Sequence, residues 1–187
     1  MSEITQHREA NSGPLGLLGF GMTTCLLNLH NTGILELSVV IIAMGIFMGG
    51  LAQVIAGLME FKAGNTFGAT AFTSYGLFWW SLIVILVNPP CLGGLAADGK
   101  SMGFYMILWC IFTLFMFIGT FKVNHATQIV FGSLAILFLL LAIEKFTGSE
   151  VVCVIAGIEG IFCGASAIYT AVAGIVDGEF NKPIMPM

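Results

Sequence analysis

Polar side chains recur at helical spacing inside the long apolar stretches of this chain. They are Thr23, Thr24 and Asn28 in the first stretch, Gln53 in the second, Thr66, Thr70, Thr73 and Ser74 in the third, and Ser166, Tyr169 and Thr170 in the last. Polar groups surrounded by lipid must find hydrogen-bond partners inside the protein. Each row therefore either bonds a neighbouring helix or lines a hydrated path for a solute, and rows on several helices together favour the path.

Three titratable side chains fall in or beside the same stretches and are candidate proton carriers. Glu159 lies near the middle of the last stretch, where an ionised carboxylate is costly, so we expect it to be protonated or paired. Glu60 ends the second stretch, two residues before Lys62, a position typical of an interfacial pair with a base or a helix N-terminus. His30 lies beside the first loop, which favours an interfacial histidine over a catalytic one.

The sequence holds no pattern that predicts enzyme catalysis. It contains no nucleophile–base–acid arrangement, no phosphate loop of the GxxxxGK[ST] type and no HExxH motif. The cysteines show no CxxC spacing, which is typical of small buried hydrophobes, with metal ligation the lesser alternative. They are Cys25, Cys91, Cys110, Cys153 and Cys163. We predict a protein that is not an enzyme and has no cofactor and no metal.

Composition indicates an integral membrane protein. Of the 187 residues, 58% are hydrophobic and only 9% are charged, and the mean hydropathy is +1.00. A soluble domain carries about 25% charged residues, which water solvates at its surface. A net charge of −4 offers no basic patch for nucleic acid. Most of the surface is therefore expected to face lipid.

Six apolar runs are long enough, or nearly so, to cross a bilayer as helices. The predicted spans are Pro14–Leu35, Leu37–Met59, Thr66–Val87, Met102–Phe121, Thr127–Ile143 and Val151–Val176. Residues 1–13 and 177–187 are predicted to be cytoplasmic tails on one transport domain, residues 14–176. No cleavable signal peptide is evident. The expected location is the cell (inner, or cytoplasmic) membrane.

Basic residues favour both termini on the cytoplasmic side. With the N-terminus inside, four basic residues are cytoplasmic and two are outside, a weak bias in the expected direction. The first group is Arg8, Lys62, Lys122 and Lys182, and the second is Lys100 and Lys145.

Faint internal repeats predict how the spans are arranged. Phe61-Lys62 and Phe121-Lys122 close the second and fourth spans, and Phe180–Lys182 follows the sixth, a period near one helical hairpin. A second similarity relates residues 60–78 to residues 144–162, a shift of three spans, which favours two halves of inverted topology. We favour three hairpins around a central pore. Small-xxx-small glycine pairs predict close helix packing, with glycines lining a narrow pore as the alternative.

The segment "NSGPLGLLGFGMTTCLLNLHN" resembles the N-P-A-P-L-G-L signature of the acetate uptake transporter family. This family contains bacterial acetate/succinate permeases and fungal relatives of the acetate and ammonia-export type. Asn11, Pro14, Leu15 and Gly16 match the signature, whereas Ser12 and Gly13 replace its usual Pro and Ala. The blocks at residues 43–79, "FTLFMFIGT" (112–120) and "CGASAIYTA" (163–171) extend the resemblance in order over nearly the whole chain.

The resemblance implies six helices around a path in each subunit, six subunits in a homo-oligomeric ring, and acetate, often with succinate, as solutes. It also implies an apolar constriction at Phe20, Tyr75 and Leu134. Hydroxyls and amides on either side then bind a carboxylate weakly enough to release it. The resemblance leaves open whether the solute moves by proton symport or through an anion channel.

Two other functions compete with carboxylate transport. A channel for a small neutral solute such as urea or an amide has a similar size and number of spans. A membrane scaffold or sensor without transport is the third hypothesis. A flux comparison of acetate with urea separates the first two.

Overall fold

Six long helices account for most of the computed structural model, which describes residues 10–88, 90–93 and 95–187. They are α1 (Gly13–Asn31), α2 (Val39–Lys62), α3 (Thr66–Val87), α4 (Gly99–Thr120), α5 (His125–Thr147) and α6 (Glu150–Phe180). Five of them, α2 to α6, are long and apolar enough to cross a membrane. The all-helical membrane class predicted from the sequence is thereby confirmed.

The helix α1 does not meet that criterion, although it lies inside the same bundle. It has 19 residues and buries three polar side chains, Thr23, Thr24 and Asn28, against other helices. Its polar residues lower its hydropathy, and its neighbours shield them from lipid.

Side-chain caps fix where four of the helices begin. In each case a side-chain oxygen accepts a hydrogen bond from the backbone N–H three residues further on, which satisfies one of the free donors of the first turn. These caps are Asn65, Asp98, Asn124 and Ser149. The helix α1 instead has Pro14 in its first turn, where a missing N–H costs nothing.

The predicted span Thr66–Val87 matches its helix at both ends, and the other five spans differ from their helices at one or both ends. The helices α2 and α5 end at Lys62 and Thr147, beyond the predicted Met59 and Ile143. The helix α1 ends at Asn31 rather than Leu35, because Gly33 adopts a φ of +80° that stops the helix. Capping by Asp98 starts α4 at Gly99, ahead of the predicted Met102. The helix α6 continues past Val176 to Phe180, so the first residues of the predicted C-terminal tail are helical.

The middle of α2 is wound as a π-helix. Residues Val39–Met44 are α-helical, Gly45–Ala52 are π-helical, and Gln53–Lys62 return to α. The Trp80 indole of α3 donates a 3.0 Å hydrogen bond to the Ile46 carbonyl in this segment, and Gly50 lies directly beneath the same indole. The π-helix therefore has a tertiary partner for one of its carbonyl groups.

Glycines let α1 approach its two neighbours at backbone distance. A Cβ on Gly21 would lie 2.6 Å from the Gly164 carbonyl oxygen of α6, and a Cβ on Gly164 would lie 2.7 Å from the Gly21 carbonyl oxygen. On the other side, Gly19 faces the Met48 carbonyl of α2. Gly164 belongs to the small-xxx-small pair Gly160/Gly164, a spacing that predicts such close packing, whereas Gly19 and Gly21 belong to none of the predicted pairs.

Aromatic rings fill the seam between α3 and α4, whose backbones approach each other at few points. The Phe78 ring lies 5.0 Å from the Trp109 ring and 5.8 Å from the Tyr105 ring, measured between centroids. Aromatic side chains, rather than close backbone contacts, therefore fill the space between these two helices. Pairing of the helices as three hairpins stays a prediction.

Basic residues segregate to opposite ends of the bundle. Lys62 ends α2, and Lys122 and Lys182 directly follow α4 and α6, which places all three at one end. Lys100 and Lys145 lie at the other end, in the first turn of α4 and the last turn of α5. Arg8, used in the orientation argument, and residues 1–9 of the predicted tail lie outside the described residues. Which end faces the cytoplasm stays a prediction.

Replacing Gly21 with Ala tests the close approach of α1 and α6. In a helix interior the exchange normally stabilises, by about 0.5–1 kcal/mol, but at this position the new methyl group meets a backbone carbonyl. We expect Gly21→Ala to lower the free energy of unfolding by about 1–3 kcal/mol. The measurement is the thermal midpoint of the purified protein in detergent.

The matched control is Gly178→Ala, which lies in α6 with no atom near the added methyl group. It should leave the midpoint unchanged or raise it. Equal midpoints for the two variants would contradict the close packing of α1 against α6.

Candidate functional site

Two cavities lie end to end inside the bundle and share Phe20 and Leu134 in their walls. The larger, which we call the vestibule, has a volume of about 500 Å³ and lies where α1, α3 and α5 end and α4 begins. The smaller, which we call the inner cavity, has a volume of about 20 Å³ and is lined from α1, α2, α3 and α5. The two shared side chains therefore form the partition between them.

The three side chains of the predicted constriction come together at this partition. Phe20 of α1, Tyr75 of α3 and Leu134 of α5 are 6%, 3% and 3% exposed. The ring centroids of Phe20 and Tyr75 are 6.2 Å apart. Tyr75 lines the inner cavity, whereas Phe20 and Leu134 border both cavities. The resulting constriction (Phe20, Tyr75 and Leu134) is apolar on the faces that the side chains present.

Tyr75 is held in place by hydrogen bonds and by ring contacts. The Thr113 hydroxyl lies 2.7 Å from the Trp109 carbonyl, which can only accept, so the hydroxyl proton is directed there. Tyr75 must then donate its own proton to Thr113, across 2.9 Å. Its ring also contacts Trp109 and Phe112 at centroid distances of 6.0 and 5.4 Å. The phenol is a fixed wall whose hydrogen-bond donor is already used.

Hydroxyl and amide groups of α1 line the vestibule just beyond the constriction. The Asn28 amide donates to the Thr24 carbonyl, and its oxygen accepts from the Asn31 amide, both at 2.9 Å. The Thr24 hydroxyl is buried, lines the vestibule and has no hydrogen-bond partner among the described residues. Thr24 can therefore exchange a hydrogen bond with a solute or with water.

Charged groups line the rim of the vestibule. Lys145 and Glu144 form an ion pair at 2.9 Å, and Asp98 accepts hydrogen bonds from Ser101, which hold the pKa of the Asp98 carboxyl below its ordinary value. Nδ1 of His30 lies 2.9 Å from the Leu35 carbonyl and donates to it. Both signs of charge are present, so the rim favours hydrated polar solutes in general.

Gln53 lines the inner cavity and is the α2 side chain nearest the constriction. It is 1% exposed, and its Nε2 donates a 2.6 Å hydrogen bond to the Gly49 carbonyl. Of the predicted path residues, Gln53, Thr24 and Asn28 thus line a cavity, as does His30 among the candidate proton carriers.

Glu60 is buried at the opposite end of the bundle from the vestibule, outside both cavities. One carboxylate oxygen accepts from the Ser12 hydroxyl, and the other accepts from the Asn65 amide at 2.6 Å. The Asn65 oxygen in turn accepts from the Gly68 N–H. Glu60 thus ties the start of α1 to the turn between α2 and α3. Its partners are the hydroxyl and amide of two N-cap residues, so of the two expected partners, a base or a helix N-terminus, the contacts lie at helix N-termini. Ser12, which departs from the family signature, supplies one of these bonds.

The signature residues around Ser12 have local structural contacts. The Asn11 side chain accepts a 2.9 Å hydrogen bond from the Gly13 N–H. Gly16 lies against the Phe72 ring, and Leu15 is 38% exposed on the outer face of α1. These contacts set how α1 enters the bundle.

Glu159 lies half-buried on α6 and lines neither cavity. Its Oε2 is buried without a hydrogen-bond partner among the described residues. A role for Glu159 in carrying protons stays a prediction.

The other predicted path residues lie outside the linings of both cavities. They are Thr23, Thr66, Thr70, Thr73, Ser74, Ser166 and Tyr169. Several bond backbone carbonyls: Thr23 donates to Gly19 at 2.8 Å, Ser166 to Cys163 at 2.7 Å, and Tyr169 to Pro186 at 2.8 Å. The first two bonds lie within one helix and the third reaches the C-terminal segment, so none of these three bonds joins neighbouring helices, and a role for these residues in a solute path stays a prediction.

Sequence reasoning missed the groups that position Tyr75 and that line the vestibule rim. Trp109 and Thr113 lie four residues apart on α4, a helical spacing that points to a shared face, but no pattern links them to Tyr75 of α3. Asn31 and Asn88 line the vestibule from the C-terminal ends of α1 and α3. A search for polar residues at the ends of the spans would have found these two.

Known proteins match this chain closely. It matches the model of the GPR1/FUN34/yaaH family over residues 1–186. The succinate-acetate/proton symporter SatP of Escherichia coli K12 is 52% identical over 178 residues, which cover 95% of each chain. Acetate permease A of Emericella nidulans is 33% identical over 98% of this chain and 67% of its own length.

A solved structure shares the fold. It is described as that of the bacterial acetate channel SatP, is 52% identical, and aligns with a TM-score of 0.93 over 96% of this chain and 99% of its own. The family predicted from the opening segment is therefore confirmed, and the protein is a member of a transport family rather than an enzyme family. This chain belongs to the GPR1/FUN34/yaaH family.

Proposed function

We propose that this protein transports small carboxylates, acetate and also succinate, across the cell membrane through the interior of each protomer. The observation that carries the proposal is the meeting of the vestibule and the inner cavity at the apolar constriction. The relatives support the choice of solute, since they are named as a succinate-acetate/proton symporter, an acetate channel and an acetate permease.

The geometry suits a small polar solute that must lose its water. In the vestibule, the Thr24 hydroxyl and the Asn28 amide replace part of the hydration shell of the solute. The constriction then offers ring faces and methyl groups, so water is excluded and a bare charge crosses at high cost. A small carboxylate, whose short carbon chain can pack against the constriction while its polar groups bond in the vestibule, fits both environments.

The assembly we propose is a homo-oligomer, a hexameric ring, with both termini in the cytoplasm. Large apolar side chains lie on the outside of the protomer, among them Phe115 at 70% and Leu108 at 68% exposure on α4. Such side chains are stable only against lipid or against a neighbouring protomer. The vestibule, the constriction and the inner cavity are all lined by residues of one protomer.

Acetate uptake into proteoliposomes tests the proposed solute. We expect labelled acetate to enter faster than into protein-free liposomes, with succinate and lactate competing and urea having no effect. The physical reason is that urea has no apolar end to match the constriction. Protein-dependent uptake of urea without uptake of acetate would overturn the proposal in favour of a neutral-solute channel.

Leu134→Ala tests the constriction. The loss of the isobutyl group widens the partition, so we expect the ratio of lactate to acetate flux to rise by about tenfold, the scale set by one or two methylenes in an apolar site. The measurement is the initial uptake rate of each labelled solute.

The control for this variant is Leu139→Ala, on the same helix but 45% exposed on its outer face. It should keep the wild-type ratio. If neither variant alters any flux, the partition at Leu134 is not part of the transport path.

A further inference from the structure

Gln53 lines the inner cavity, and its side-chain oxygen has no hydrogen-bond partner among the described residues. Gln53 is 1% exposed, and this oxygen, Oε1, is buried. A buried acceptor without a partner destabilises the protein, because the atom has lost its hydrogen bonds with water and gained none in return. A molecule in the inner cavity that donates a hydrogen bond to this oxygen would remove this cost.

The orientation of the Gln53 amide is fixed by its neighbour. Nε2 lies 2.6 Å from the Gly49 carbonyl oxygen. The reversed amide would bring two acceptor oxygens together at that distance, which is repulsive. Oε1 rather than the NH₂ group is therefore the free polar atom that Gln53 brings to the inner cavity.

The rest of the described lining offers no free hydrogen-bond donor. Tyr75 supplies the other polar side-chain atom, and its proton is already given to Thr113. The remaining lining side chains are aliphatic or phenyl groups. The inner cavity thus combines one acceptor with apolar walls.

This combination matches a neutral O–H donor and opposes an anion. A carboxylate has no proton to donate, and both of its oxygens would be repelled by Oε1 while its charge lost all hydration. An undissociated carboxylic acid donates its O–H to Oε1 and packs its methyl group against the rings. Water has the same donor, and the volume of about 20 Å³ accommodates one water molecule.

We propose that Gln53 selects the protonated acid: the solute crosses the constriction as a neutral carboxylic acid whose O–H is donated to Oε1 of Gln53. This inference rests on the proposed function. The carboxylate takes its proton from water on one side and returns it to water on the other. One proton thus moves with each acetate, and no side chain has to titrate.

The titratable groups of the surrounding helices are placed in keeping with this route. Tyr75 is the one that lines the inner cavity within the described chain, and its hydroxyl is bound to Thr113. His30 of α1 lies in the vestibule, and Glu60 of α2 is bound to Ser12 and Asn65. Lys62, at the end of α2, is exposed.

The first test uses the wild-type protein in liposomes, with the rate in protein-free liposomes subtracted. A potassium gradient with valinomycin sets the membrane potential at constant pH. We expect the protein-dependent acetate rate to be independent of the potential, and an internal pH dye to report one proton for each acetate. At fixed total acetate, the rate should fall about tenfold for each pH unit above the pKa of the solute.

The second test removes the acceptor with Gln53→Leu, which keeps a side chain of similar size. We expect protein-dependent acetate flux to fall by about tenfold, the equivalent of one lost hydrogen bond. Gln128→Leu is the matched control: Gln128 lies in the first turn of α5, outside both cavities, and should keep the wild-type rate. Gel filtration and the thermal midpoint establish that both variants are folded.

The possible results separate the inference from the function on which it rests. No protein-dependent acetate flux in the wild type would overturn the proposed function. A wild-type flux that follows the membrane potential as an anion does would overturn only the role of Gln53, even if Gln53→Leu fails to fold. A variant that alters osmotic water flux but not acetate flux would also overturn it, because Oε1 would then serve bound water alone.

Discussion

The approach of α1 to α2 and α6 at backbone distance is the constraint on which the interior depends. Gly19 faces the Met48 carbonyl on one side, and Gly21 faces the Gly164 carbonyl on the other. With its two glycine faces occupied by neighbouring helices, α1 can turn Phe20 only toward the centre, where it meets Tyr75 and Leu134. Lipid supplies no hydrophobic drive between helices, so such van der Waals contact has to hold them together.

The interior of the bundle changes its chemistry over a short distance between the two cavities. The vestibule offers hydroxyl, amide and charged groups, and the constriction offers almost none. An ion that leaves the vestibule for the constriction loses the hydration free energy of its charge, whereas a neutral acid loses little more than its hydrogen bonds with water. The side-chain oxygen of Gln53, which has no partner among the described residues, can accept one such bond in the inner cavity. A fixed protein can in this way couple a proton to a solute through the chemistry of the solute itself.

The sequence predicted where the helices lie but not which of their polar side chains line a cavity, for a physical reason. Apolar runs of about 20 residues are long enough to span a bilayer, so the length of each run reveals a helix. A threonine in such a run can satisfy its hydroxyl on its own helix, as Thr23 does at Gly19 and Thr113 does at Trp109. Polar type and spacing alone therefore did not distinguish a path from a satisfied helix. The constriction was reached through family resemblance, and the partner of Tyr75 depends on packing between α3 and α4 that no local pattern records.

The π-helical segment of α2 divides that helix into two halves with independent angular settings. An α-helix advances about 100° per residue, and the wider π turn from Gly45 to Ala52 offsets the half that follows. Gln53 is the first residue after the segment, so the π-helical turn sets the direction of its side chain about the helix axis, and Val39–Met44 do not. Loss of a single residue within the segment would let the helix rewind as a regular α-helix. Residues Gln53–Lys62 would then rotate about the helix axis relative to Val39–Met44. The number of residues in this segment therefore sets the direction of the Gln53 side chain as much as the identity of residue 53 sets its chemistry.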